Sequence, residues 1–233
     1  HRKVAIMTHR HLSAAALVCG SCLSTWAADQ QAPTPFLRNG VTAHRGNSVE
    51  FPENTLPAFA AGIAAGADWL ELDVHLSRDG VPVVIHDGTT GRVGDRDLVV
   101  GQSTYGELAG VDVAAAFRQR IGATLAACPA ERIPRLEEVL NLVMAQERTR
   151  VSIQPKMACV AEAIALITRM GATRWVGFND GNAAYLDGAR RLAPEVPLFW
   201  DRDAHTDVDA DVRFALEHGF GSLVLHPTGI TAE

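Results

Sequence analysis

Short apolar runs alternate with alanine-rich amphipathic segments along most of this 233-residue chain, and that alternation constrains its fold more than any other feature. Runs that read as strands lie at 41–43, 69–75, 81–85, 151–153, 175–178, 198–200 and 223–225. Between most of them stand segments with helical periodicity, at 54–65, 136–146, 160–170, 182–192 and 208–218. Gly66, Gly171 and Gly219 mark helix ends. Repeated strand–helix units imply a parallel sheet with helical crossovers. With many such units and no Gly-x-Gly-x-x-Gly fingerprint, the pattern points to an α/β fold of the TIM-type (β/α) barrel rather than to a dinucleotide-binding sheet.

One connection departs from the alternation. Arg78-Asp79-Gly80 separates two extended runs, and Asp-Gly in that setting is a hairpin signal. With Asp79-Gly80 as a two-residue loop, Arg78 pairs with Val81 and Asp73 lies opposite His86. Glu71 shares a face with Asp73, because strand side chains repeat every two residues. The hairpin thus predicts two carboxylates and an imidazole together near the C-terminal end of a barrel strand, where such barrels carry their chemistry. Residues 87–133 form a long insertion with few apolar runs, read as a substrate-covering excursion.

The body of the chain, 47% hydrophobic and 21% charged, suits one globular domain over 41–233. With 21 Lys and Arg against 27 Asp and Glu, no global basic field exists, which disfavours nucleic acid as a partner. No uncharged apolar stretch in the body reaches the roughly 18 residues of a transmembrane span. The N-terminus reads differently. After Met7 come His9-Arg10-His11, an apolar or small stretch from Leu12 to Leu23, and Ser24-Thr25-Trp26-Ala27-Ala28, small apart from Trp26. This is a secretory signal pattern, with Thr25 and Ala27 preceding the cleavage point. Lipidation at Cys22 is a weaker variant of the same reading. Residues 1–28 are therefore expected to direct export to the periplasm or beyond, and 29–40 to form an arm. Of the remaining cysteines, Cys128 and Cys159 read equally well as a disulfide or as two free thiols.

Four local motifs carry chemistry. His44-Arg45-Gly46 ends the first strand and offers a proton carrier, a planar fork for phosphate oxygens and room for an anion. Glu53-Asn54-Thr55 follows Pro52 and opens a helix. Glu71 and Asp73 are hard oxygen donors suited to Mg²⁺ or Ca²⁺, and His86-Asp87 follows the hairpin. Gln154 and Lys156 end a later strand, placed to complete a cation or phosphate pocket.

In this order the motifs, running from Ala43 to Asp87, resemble the glycerophosphodiester phosphodiesterase family, TIM-barrel enzymes related to phosphatidylinositol-specific phospholipase C. The resemblance extends over roughly 41–230. It implies metal-dependent hydrolysis of a small-molecule glycerophosphodiester to an alcohol and sn-glycerol 3-phosphate. It implies His44 and His86 as the catalytic histidines, with Arg45 and Lys156 as phosphate ligands. Glu71, Asp73 and Gln154 would hold one divalent cation, Mg²⁺ or Ca²⁺, with Glu53 and Asn54 supporting them. The family pattern has Glu where Gln154 stands, so the cation site here carries one negative charge fewer and is expected to bind weakly. The family barrel also continues beyond the 223–225 run, so the barrel in this chain is expected to lack its last two strands. A lipid phosphodiesterase of the phospholipase C or D kind is the nearest alternative. A catalytically impaired phosphodiester-binding protein is the other.

Overall fold

The computed structural model describes residues 40–203 and 206–225. Residues 1–28, expected to be a signal segment, and all of the expected arm except Gly40 lie outside the described residues. Six parallel strands form one sheet: β1 (Thr42–His44), β2 (Trp69–Leu76), β4 (Arg150–Pro155), β5 (Val176–Asp180), β6 (Leu198–Asp201) and β7 (Ser222–Val224), in that spatial order. β3 (Pro82–Val84) pairs antiparallel with β2 as the return arm of the hairpin. Helices α1 (Leu56–Ala64), α4 (Leu136–Met144), α5 (Val160–Met170), α6 (Ala183–Leu192) and α7 (Val208–His218) supply the crossovers. The expected parallel α/β architecture is therefore present as a curled partial barrel with six parallel strands.

The two faces of the sheet divide the chemistry. Leu70, Leu72, Val74, Val151, Ile153, Val176, Phe178 and Leu198 point outward and form one buried core with the helices. The alternate residues share the concave face. In register across it stand His44 with Glu71, Glu71 with Ser152, and Asp73 with Gln154. The same parity carries Asn179 and Asp201 onto this face from β5 and β6. Lower on it, Trp69 meets Phe199 edge-on, with ring centroids 5.1 Å apart. Gly177 lies beneath them, and a Cβ there would come within 2.7 Å of the Phe199 ring. An aromatic floor therefore underlies a polar layer.

The hairpin register differs by one from the sequence reading. Val74 pairs with Val84 and His75 with Val83, so Asp73 lies level with Ile85, whose N–H donates to the Asp73 carbonyl at 3.1 Å. The cause is a three-residue turn: Gly80 takes φ +75, and the Ser77 N–H donates across it to the Val81 carbonyl at 3.0 Å. The Ser77 hydroxyl closes the turn by donating to Asp79 Oδ1 at 2.6 Å.

The insertion is also more ordered than its composition suggests. It contains α2 (Tyr105–Leu108) and α3 (Ala115–Ile121), and its Val100, Leu108, Val111 and Val113 pack on Val83, Ile85 and Ile133 as a second small core. Cys128 and Cys159 are both free thiols.

Candidate active site

The turn after β1 places the first pair of functional side chains. Arg45 and Gly46 are consecutive left-handed residues, with φ +56 and +80. Only glycine adopts this conformation cheaply, so the strain at Arg45 is held by its surroundings. Its N–H donates to Glu71 Oε2 at 3.1 Å, and its carbonyl accepts from the Asn54 N–H at 3.0 Å. Asn54 is itself left-handed, at φ +57. Immediately after it, Thr55 caps α1, accepting from the Ala58 N–H. The two sequence motifs thus lock together through their backbones.

Asp73 is completely buried and is surrounded by donors. Asn54 Nδ2 donates to its Oδ2 at 2.8 Å, Arg45 Nε lies 3.4 Å from the same oxygen, and Lys156 Nζ lies 3.1 Å from Oδ1. Glu71 is buried beside it. Burial, reinforced by the Asp73 charge, pushes the Glu71 carboxyl well above the usual carboxylate range. His44 Nε2 lies 3.7 Å from Glu71 Oε2, with its side chain about half exposed at the mouth of the site. Lys156 Nζ also donates to Gln154 Oε1 at 2.6 Å.

His86 joins from the other side. It lines one small hollow with Glu53 and Asn54. Its Nδ1 is 2.5 Å from Asp87 Oδ1. Asp87 pairs in turn with Arg92 of the insertion, and Arg92 Nη2 reaches Glu53 Oε1 at 2.6 Å. Glu53 Oε1 is also 3.0 Å from Arg45 Nη1. Burial would raise the Glu53 carboxyl, but Arg92 and Arg45 outweigh it and hold it below its ordinary value. Glu53 therefore serves the two arginines and is committed away from the carboxylate pair.

All nine residues singled out from sequence are thus gathered at the C-terminal ends of β1, β2, β3 and β4. Five others belong with them. His75 donates from Nε2 to the His86 carbonyl at 3.1 Å and so seats the second histidine. Arg92 straps the insertion to Glu53. Ser152, Asn179 and Asp201 continue the polar layer: the Ser152 hydroxyl donates to Asn179 Oδ1 at 2.6 Å, and Asn179 Nδ2 to Asp201 Oδ2 at 3.0 Å. The parity of 152 and 154 on one strand was the available signal for Ser152. Asn179 and Asp201 lie one residue beyond the runs that read as strands, 175–178 and 198–200, and nothing local indicates that they face the site.

The donors suit a hard divalent cation. Two adjacent buried carboxylates repel each other, and Asp73 Oδ1 and Gln154 Oε1 converge on the Lys156 ammonium, a corner built to receive positive charge. Among the described residues no group of three His, Cys, Asp or Glu is placed to hold a metal ion, and the third donor here is the Gln154 amide.

The glycerophosphoryl diester phosphodiesterase family model matches residues 44–216. The chain belongs to this family. A glycerophosphodiester phosphodiesterase of Bacillus altitudinis is 39% identical over 116 residues, covering 50% of this chain and 44% of that one. One from Caldanaerobacter subterraneus subsp. tengcongensis is 41% identical over 103 residues, covering 44% of this chain and 40% of that one. These alignments span less than half the length of the curated relatives. Among solved structures, a glycerophosphodiester phosphodiesterase from Agrobacterium tumefaciens matches with a TM-score of 0.65 and 27% identity, covering 78% of this chain and 74% of that one. A phosphodiesterase from Oleispira antarctica, in complex with the product sn-glycerol-3-phosphate, matches with a TM-score of 0.65 and 26% identity, covering 78% and 72%. These barrel enzymes agree with the partial barrel seen here. Among the described residues, no helix is long and apolar enough to cross a membrane.

Proposed function

We propose that this chain hydrolyses glycerophosphodiesters to an alcohol and sn-glycerol 3-phosphate in a metal-dependent reaction. The observation that carries the reading is the grouping of His44, Arg45 and Lys156 around the buried Glu71–Asp73 pair, with His86 across a small hollow beside Glu53 and Asn54, the latter bonded to Asp73. His44, exposed at the mouth, removes the proton of the attacking nucleophile. His86 is held at Nδ1 by Asp87, which leaves Nε2 to protonate the departing alkoxide as the phosphorus–oxygen bond breaks. Arg45 and Lys156 bring donors to the phosphate oxygens. A Mg²⁺ or Ca²⁺ ion held by Glu71, Asp73 and the Gln154 carbonyl would supply further positive charge as phosphate charge develops.

Incubating the full-length protein with a panel of glycerophosphodiesters is expected to release sn-glycerol 3-phosphate. A chelator should abolish that release, and added Mg²⁺ or Ca²⁺ should restore it. Release of a phosphorylated head group instead, or turnover indifferent to chelator, overturns the reading. The substrate is small and polar, in keeping with export, which the apolar segment after Met7 and its small-residue flank support. N-terminal sequencing of protein recovered outside the cytoplasm is expected to start near Ala28 or Asp29.

A further inference from the structure

Gln154 sits between two groups of opposite demand. Its Oε1 accepts from Lys156 Nζ at 2.6 Å, on the side of Asp73, while its Nε2 donates to Asp201 Oδ2 at 3.1 Å. An amide has chemically distinct ends but nearly identical shape, so something must decide which end faces which neighbour. Asp201 faces the amide with a carboxylate, which accepts and cannot donate. The same Oδ2 accepts from Asn179 Nδ2 at 3.0 Å, and Asn179 is fixed in turn by the Ser152 hydroxyl. The anchor therefore spans β4, β5 and β6, and the carboxylate that fixes Gln154 enters from a strand 47 residues away.

The geometry points to Asp201 as a positioning residue that turns the oxygen of Gln154 toward Asp73 and the cation position. Gln154 and Asp201 act as one amide–carboxylate unit, and the unit keeps a negative charge at one remove from the site. A carboxylate at 154 would confront Asp201 directly, so the two positions are coupled in sign. Exchanging the groups, with Glu at 154 and Asn at 201, remakes the hydrogen bond with donor and acceptor reversed once the Asn179 amide turns over, its Oδ1 accepting from the new amide at 201 and its Nδ2 donating to the Ser152 hydroxyl. This inference rests on the reading of Glu71, Asp73 and Gln154 as the cation site.

The test uses the full chain as wild type, Asp201→Ala, Gln154→Glu and the exchanged double variant Gln154→Glu/Asp201→Asn. Mg²⁺ is titrated calorimetrically, and melting is followed without cation. Asp201→Ala is expected to weaken Mg²⁺ about tenfold or more, the scale seen when a ligand loses its orienting partner. Gln154→Glu is expected to lower the cation-free melting temperature by about 4 °C, and the double variant to regain it. The double variant is also expected to bind Mg²⁺ at least as well as wild type. Wild-type Mg²⁺ affinity in Asp201→Ala overturns the proposal. So does a Gln154→Glu protein that melts no lower than wild type, or a wild type that takes up no Mg²⁺. Should Asp201→Ala fold poorly, the comparison of Gln154→Glu with the double variant decides the matter alone. If these binding and melting shifts occur in a protein that releases no sn-glycerol 3-phosphate, the positioning role stands and the phosphodiesterase reading falls.

Discussion

His44→Ala and His86→Ala are each expected to cut turnover of a glycerophosphodiester by about a hundredfold or more, the scale of a lost general acid or base. Both rings stand at the mouth of the site, with side chains 53% and 30% exposed, so neither truncation opens a hole in the core. Circular dichroism and the melting temperature should therefore stay close to wild type while steady-state rates collapse. The two losses are not expected to multiply, since both groups serve one displacement. Near-normal turnover in either variant would end the two-histidine mechanism.

Gly46→Ala is expected to be strongly damaging, costing about 3 kcal/mol of stability. Two effects combine. The position has φ +80, which disfavours any side chain. A Cβ there would also lie 2.7 Å from the Ala58 carbonyl carbon and 2.8 Å from its oxygen, both backbone atoms of α1 that cannot rotate away. Relief requires the turn to lift off the helix, carrying His44 and Arg45 with it, so activity should fall as well. Gly80→Ala is the control. Gly80 has φ +75 but nothing within 4 Å of the added carbon, so only the backbone term of about 1 kcal/mol remains. Urea denaturation of the two variants separates the contributions, and equal losses would show that the contact with Ala58 is unimportant.

The fold was legible where the signal was periodic. Helices α5 and α7 occupy the residues that their apolar spacing marks out, closing at Gly171 and Gly219 in left-handed conformations. The carboxylate pair, the histidines and the strand ends were legible because each is a local motif. What escaped was of two kinds. Turn length at Arg78-Asp79-Gly80 depends on whether Gly80 is the second or third loop residue, and identical letters serve both. Order within the insertion arises from the packing of its apolar residues on Val83 and Ile85, although Thr104 and Glu107 form a capping box that sequence could have revealed. Asn179 and Asp201 escaped for a deeper reason. Their role depends on the register of parallel strands joined by long crossovers, and no short-range pattern encodes it.

Arg92 shows what such cross-chain organisation entails. It belongs to the surface insertion, yet it begins a succession of alternating charges: Asp87 on one side, then Glu53, Arg45, Asp73 and Lys156 on the other. Every link is gripped from both sides, so a displaced link drags the next. A loop that looks replaceable is in this respect a tension member of the reaction centre. Any other loop grafted at 87–133 would have to carry over Asp87 and Arg92, the latter landing against the same glutamate, together with the apolar side chains that pack on Val83 and Ile85.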